Sequence, residues 1–446
     1  MTSDELRKQI LQKTAEYFQL VHEKGTSPFS PGTSKIQYAG RVFNEQEMIN
    51  LVDSALNFWL TYGRYSELFE KKLSAFLDVR FCALVNSGSS ANLLAFMSLT
   101  SDRLGSRKIT RGDEVITVAA SFPTTIAPIV QYGSVPVFVD IDLRTLNIDV
   151  NQLKVALGPR TKAVIIAHTL GNPFDVDAVR SFCRSHDLWL IEDNCDALGS
   201  KYHGKYTGTF GDIATSSFYP PHHITMGEGG AVYTNNKDLA MIIESMRDWG
   251  RDCWCPSGKD NTCGKRFKHQ LGELPFGYDH KYTYSHFGYN LKATDMQAAI
   301  GCAQLEKLPY FTEIRRKNFD RLYNGLKHLD QYFIFPKATP GSEPSWFGFL
   351  MVVRENTGFT RNDIVKYLED NLVQTRMLFA GNITKHPCFD GMRREKTGYR
   401  VIGDLANTNR IMEDAFWVGV YPGMTEEAID YIIDLIIKYV DQRGLG

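Results

Sequence analysis

The stretch FCALVNSGSSANLLAFMSL, residues 81–99, passes from a short apolar run through a turn of glycine and serines into a second apolar run long enough for a helix. It reads as strand, turn and helix. Small residues at 87–90 leave the first amides of that helix unshielded, and those amides, with the positive end of the helix dipole, favour an anion. Further apolar runs follow: EVITVAA (114–120), PVFVDI (136–141), AVIIAH (163–168) and LWLIED (188–193). Helical patterns such as VDAVRSFCRSH (176–186) lie between some of them. Apolar strands separated by helices predict an α/β fold with a mostly parallel central sheet covered on both faces. In such sheets ligands gather at the carboxyl ends of the strands, which is where Asp193 and the loop 216–230 fall.

Around this centre the chain divides into a large part, 1–308, and a smaller C-terminal α/β part, 309–446. The large part opens with a helix over 5–22 and an irregular arm. A helix follows from Ser66 as N-cap, with apolar residues of SELFEKKLSAFL on one face. The pattern TDMQ from Thr294 is a capping box that starts a bridging helix, and WFGFLMVV supplies a strand beyond it. Residues 248–288 lack sustained periodicity, and a loop of that length in a compact protein serves a function or is disordered.

The 446 residues carry 50 Lys and Arg against 51 Asp and Glu, a formal charge of -1, so no broad attraction draws the chain to nucleic acid. No apolar run approaches the length of a membrane span, and the expectation is a cytoplasmic protein. Eight cysteines without a secretion signal read as reduced thiols or metal ligands.

A pyridoxal-type cofactor needs amides and hydroxyls for its phosphate, a flat apolar face for its ring and a carboxylate for its protonated ring nitrogen. Gly88, Ser89, Ser90 and Ser217 meet the first need, Phe122 the second and Asp193 the third. A carboxylate at the ring nitrogen strengthens the cofactor as an electron sink. Each feature alone is ordinary; their order along an α/β chain joins them.

The segments NSGSSA, SFPTTIAPIVQYGSVPVFVDID, IEDNCDA, SSFYPPHHITMGEGGAV and HFGYNLKATDMQAAIG resemble the successive motifs of the sugar aminotransferase family, vitamin B6 enzymes with the aspartate-aminotransferase-like fold (fold type I). The resemblance covers about residues 30–310 and continues more loosely to the C-terminus. In that family a lysine that binds the cofactor covalently stands five residues after the serine of the SF motif; here that position is His222. Imidazole forms no stable link to the cofactor aldehyde, but it is a general base near neutral pH. The departure is similar to that of the 3-dehydratases of nucleotide-linked 4-keto-6-deoxyhexoses. The resemblance implies pyridoxamine 5'-phosphate held without a covalent bond, His222 removing the C4' proton of its adduct with the ketosugar, and loss of the C3 hydroxyl. His223 is read as an orienting or packing residue.

Cys253 and Cys255 bracket only one residue, a spacing too tight for the usual zinc knuckle, yet with Cys195 and Cys263 they make four thiolates, which suit zinc or a [2Fe-2S] centre alike. Cys195 follows Asp193 by two residues, which predicts a metal beside the cofactor. The pattern resembles the iron-sulfur branch that acts on CDP-4-keto-6-deoxy-D-glucose. That likeness implies two single-electron transfers through the cluster from an NADH-dependent flavin and iron-sulfur reductase. It also implies a homodimer in which Asn290 reaches the cofactor phosphate of the neighbouring subunit. Lys292 stands where relatives often have arginine, His168 falls near the active site of the family, Glu228 belongs to the cofactor loop, and Asp196 carries no assigned role.

Overall fold

The computed structural model describes residues 1–23, 28–253, 255 and 260–443. Its main sheet has eight strands in the order Phe81–Val85, Gly230–Thr234, Ile213–Ser217, Trp189–Asp193, Thr161–Ala167, Glu114–Val118, Val135–Val139 and Arg400–Val401. From Ile213–Ser217 to Arg400–Val401 every pairing is parallel, whereas Gly230–Thr234 runs against both of its neighbours. Alternate residues of one strand feed different cores. Val164 and Ile166 pack with Ile116, Val118 and Val137 on one face, while Ala163 and Ile165 pack with Val115, Ile191 and Val232 on the other. Burial on both faces is why the strands read as unbroken apolar runs rather than alternating ones.

The smaller sheet is antiparallel, in the order Phe333–Ile334, Gly348–Val353, Ala415–Gly419 and Thr375–Arg376. The helix Asp295–Leu326, started by the Thr294 capping box, joins the two parts. At 1.5 Å per residue its 32 residues span about 48 Å. Ala298, Cys302, Leu305 and Leu308 pack with Phe69 and Leu73, and further along Phe319, Leu322 and Leu326 enter the core of the smaller sheet. The expected division at 308/309 thus lies inside a continuous helix, and Arg400–Val401 returns from beyond it to extend the large sheet.

Two local expectations change. Ser66 is not an N-cap: the helix runs Arg64–Leu77 behind Gly63, and the amide and hydroxyl of Ser66 are taken by Asp295 Oδ1 at 2.9 and 3.0 Å. A tertiary partner satisfies the serine, so the chain starts its turn two residues earlier. The first helix, Ser3–Phe18, is capped by Thr2 and gives way to one π turn over Gln19–Glu23. No helix among the described residues is long and apolar enough to cross a membrane.

Candidate active site

At the carboxyl ends of the parallel strands opens a pocket of about 490 Å³. Its floor comes from the large sheet. Ser87 caps the helix Gly88–Ser98 by accepting the Ser90 amide at 3.0 Å, and Ser87, Gly88 and Ser89 line the pocket. The Ser90 hydroxyl is 3.0 Å from that of Ser87, outside the pocket wall. Strand Ile213–Ser217 ends against this turn, so a β-carbon on Gly88 would stand 2.3 Å from that of Ser217. Only glycine permits that approach, which sets the Ser217 hydroxyl beside the helix start.

Asp193 ends strand Trp189–Asp193 and is 4% exposed. Its Oδ2 accepts from Asn92 Nδ2 at 2.8 Å and from Thr125 Oγ1 at 2.7 Å, and its Oδ1 from the Cys195 amide at 3.2 Å. Thr215 donates to Asn92 Oδ1 at 2.6 Å, which orients the amide. A carboxylate with this many donors is fixed in place. Asn92 lies four residues after Gly88 on the same helix face, so the cradle and the clamp on Asp193 are one element. Phe122, 50% exposed, presents an open ring face at the pocket wall. An anion cradle, a buried carboxylate and a free aromatic face converge, and they fit a planar cofactor that carries a phosphate.

His222 follows on the turn beyond Ser217. Its Nε2 is 3.4 Å from Asp196 Oδ1, its Nδ1 is buried without a hydrogen-bond partner, and its carbonyl accepts from Arg315 Nη2 at 3.3 Å. Asp196 Oδ2 is likewise buried and unpartnered. Orphaned polar atoms of this kind, on a pocket wall, are groups awaiting a ligand. His223 points away: it is 2% exposed, and its Nε2 lies 2.7 Å from the Ser345 carbonyl, which makes that nitrogen the donor. Burial, with Arg315 nearby, holds its pKa well below the usual histidine value, so it is a neutral strut.

His168 is also outside the pocket wall. It is fully buried, stacked on Phe174 at 4.2 Å, accepts the Phe174 amide at Nδ1 and donates from Nε2 to Glu192 at 2.9 Å. Glu228 lines the pocket, and its carbonyl accepts from Gln297 at 2.8 Å. Asn290 is exposed, away from the pocket of its own chain, and its backbone bridges to Asp248. Lys292 pairs with Asp248 and lies over the Trp249 ring at 3.9 Å.

The four cysteines divide. Cys195 lines the pocket, where burial, with Asp193 and Asp196 adjacent, raises its thiol well above the ordinary range. Cys253 and Cys255 instead gather with His280, their ligand atoms within 4.8 Å of one another, and Cys263 Sγ is 3.6 Å from His280 Nε2. Burial pushes the Cys255 thiol up, but hydrogen bonds from Thr262 and from the neighbouring cysteines outweigh it and bring the thiol down to about 7. Three soft donors and an imidazole are a transition-metal set. Trp254 and residues 256–259, between these ligands, lie outside the described residues.

Sequence reading missed the residues that come from far away: Asn92, Thr125 and Thr215 around Asp193, His280 in the loop, and a wall contributed by Tyr38, Phe347, Arg376 and Trp417. Of these only Asn92, one turn beyond Gly88, carried a local signal.

The chain is 52% identical to the lipopolysaccharide biosynthesis protein RfbH of Salmonella typhimurium, over the whole of both chains. It is 50% identical to a dTDP-4-dehydro-2,6-dideoxy-D-glucose 3-dehydratase of Saccharopolyspora spinosa, over 97% of this chain and 91% of the relative. A crystal structure of GDP-4-keto-6-deoxymannose-3-dehydratase with a trapped PLP-glutamate geminal diamine superposes with a TM-score of 0.79 at 28% identity, covering 90% of this chain and 99% of that one. The fold is that of the pyridoxal-phosphate-dependent aminotransferases. Residues 43–437 match one family model, and the chain belongs to the DegT/DnrJ/EryC1/StrS aminotransferase family.

Proposed function

We propose that the protein is a pyridoxamine-phosphate-dependent C3 dehydratase of a nucleotide-linked 4-keto-6-deoxyhexose. The observation that carries this is His222: the residue at the pocket wall after Ser217 is an imidazole beside Asp196, able to move a proton but unable to anchor an aldehyde. The relatives named above as 3-dehydratases support the reaction class.

When bound, the cofactor supplies an electron sink next to the sugar carbon that loses its hydroxyl. Ser87, Gly88, Ser89 and Ser217 would hold its phosphate, Phe122 would cover its ring, and Asp193 would keep the ring nitrogen protonated. His222 takes the proton from C4', and Asp196 orients the imidazole. The rings of Phe122 and Phe347 add apolar surface to the pocket wall.

The finer reading assigns a CDP-linked substrate, a [2Fe-2S] cluster held by Cys195, Cys253, Cys255 and Cys263, and an NADH-dependent flavin and iron-sulfur reductase as the source of two single electrons, giving CDP-4-keto-3,6-dideoxy-D-glucose. The gathering of the loop thiols supports the metal, and the position of Cys195 in the pocket wall supports electron delivery to the cofactor. A homodimer, with Asn290 of each copy reaching the other's cofactor phosphate, fits the exposure of that residue. Two observations favour variants: the dTDP-sugar relative favours thymidine as the base, and His280 stands where a fourth metal ligand would be needed.

Feeding CDP-, dTDP- and GDP-linked 4-keto-6-deoxyhexoses to the holoenzyme, with and without the reductase, tests the reading. C3 deoxygenation of one of them, dependent on reductant, is the expected result. Amino transfer to the sugar would refute it. An electron paramagnetic resonance signal from the reduced enzyme tests the cluster; one zinc per chain and no signal would replace it.

A further inference from the structure

The pocket has two walls of different chemistry. The floor carries the helix start at Ser87–Ser89, with Ser217, Asp193 and Asp196. The opposite wall is aromatic and joins His222 to a single cation. The His222 and Phe347 rings are 5.5 Å apart, Phe347 and Trp417 5.6 Å, and Trp417 and Tyr38 5.4 Å. Arg376 lies over the Tyr38 ring at 3.8 Å. The Trp417 indole N–H is already given to the Met377 carbonyl at 3.0 Å, so this wall offers the sugar an apolar face.

Arg376 is the one Arg or Lys among the described residues that line the pocket. It stands on strand Thr375–Arg376 of the smaller sheet, half-buried, and gives one N–H to the Thr375 carbonyl at 2.7 Å. Its guanidinium has no ion-pair partner among the described residues, whereas Arg410, on the helix Ala406–Asp414, is paired with Glu355 and Asp414. Stacking on Tyr38 fixes the plane of the fork while leaving most of its donors uncommitted. A fixed, unpaired fork is built for a bidentate oxyanion. The phosphate cradle of the cofactor is built on the large sheet and Arg376 stands on the smaller one, which assigns this anion to the substrate rather than to the cofactor.

We infer that Arg376, seated on Tyr38, is the anchor for the diphosphate of the sugar-nucleotide substrate, with the Phe347 and Trp417 rings packing the deoxy face of the sugar between that anchor and His222. The inference rests on the proposed sugar-nucleotide reading and adds the residue that recognises the substrate's charge. It makes the smaller sheet the substrate side of the pocket and the large sheet the cofactor side.

The test compares cofactor-loaded wild type with Arg376→Gln and Arg376→Lys, titrated with CDP, dTDP, GDP and the corresponding free nucleosides by calorimetry. Cofactor retention is read by releasing the bound pyridoxamine phosphate with acid and assaying it. Loss of charge-assisted hydrogen bonds should weaken the preferred nucleoside diphosphate by roughly 10- to 100-fold in Arg376→Gln. Arg376→Lys should recover part of that loss, and affinity for the free nucleoside and the cofactor should hold. Unchanged diphosphate affinity in Arg376→Gln would overturn the anchor while leaving the sugar-nucleotide reading intact. Parallel loss of cofactor would overturn it too, by assigning the guanidinium to the cofactor phosphate or to folding. Wild type that binds no nucleoside diphosphate would overturn both.

Discussion

The pocket floor and the loop over residues 248–288 both concentrate reactive side chains, and they are held in opposite ways. On the floor, Asp193 takes hydrogen bonds from Asn92 and Thr125, Thr215 sets Asn92, and each of these groups stands on a strand or helix of the large sheet. Among the described residues of the loop, turns, bridges and one short helical turn at His280–Tyr282 replace longer elements, and large apolar side chains are exposed, Phe276 at 75% and Phe287 at 102%. There the converging groups are thiols and an imidazole, whose strongest available organiser is a metal. Preorganisation by the sheet suits a site that must position a planar ring; thiols and an imidazole on a loop are donors that a bound metal would organise.

Removing the base is the largest way to break this contrast. His222→Asn should cost roughly 10²–10⁴-fold in dehydration rate while the amount of pyridoxamine phosphate released by acid is unchanged, since the floor does not depend on it. Retained turnover would remove His222 from the chemistry. Cys255→Ser sharpens the comparison from the other side. Metal content, measured by elemental analysis, should fall to near zero with cofactor binding intact, because the loop donors are not part of the floor.

A smaller effect is expected at the seam of the floor. Gly88→Ala forces a β-carbon into Ser217 and should cost about 1–3 kcal/mol of stability, read as a lowered Tm, together with weakened cofactor retention. Normal cofactor affinity in this variant would show that the cradle tolerates displacement.

The smallest effect is a slope. The pKa of His223 is depressed by burial, so above its unfolded value near 6.5 the residue is neutral in both states and costs nothing. As the pH falls below that value the unfolded chain takes up a proton that the folded chain refuses. Stability should then decline by about 1.4 kcal/mol per pH unit until the folded pKa is reached. His223→Gln should flatten this part of the Tm profile between pH 7 and 5; an unchanged slope would show that other groups produce it.

Part of this site was legible because it is local. A strand end and the helix start that follows it are contiguous, so Gly88 and Ser89 as an anion cradle, Asp193 at a strand end and the offset from Ser217 to His222 could all be read directly from the chain. Ser90, expected with them, lies one residue further into the helix, and its hydroxyl turns to Ser87 rather than to the pocket.

The sequence by itself determined the alternation of apolar strands and helices, hence the parallel sheet, and the residue types that meet at its carboxyl edge. Tertiary structure alone decided which distant groups complete that edge. Asn92 reaches Asp193 across 101 residues, Thr215 reaches Asn92 across 123, and Arg376 arrives from a separate sheet. It also decided that Cys195 belongs to the pocket while the loop thiols gather around His280. The physical reason is the same in each case. Periodicity and capping act over a few residues, whereas a hydrogen bond or a stacked ring between distant segments leaves no pattern in the chain until packing brings its partners within reach.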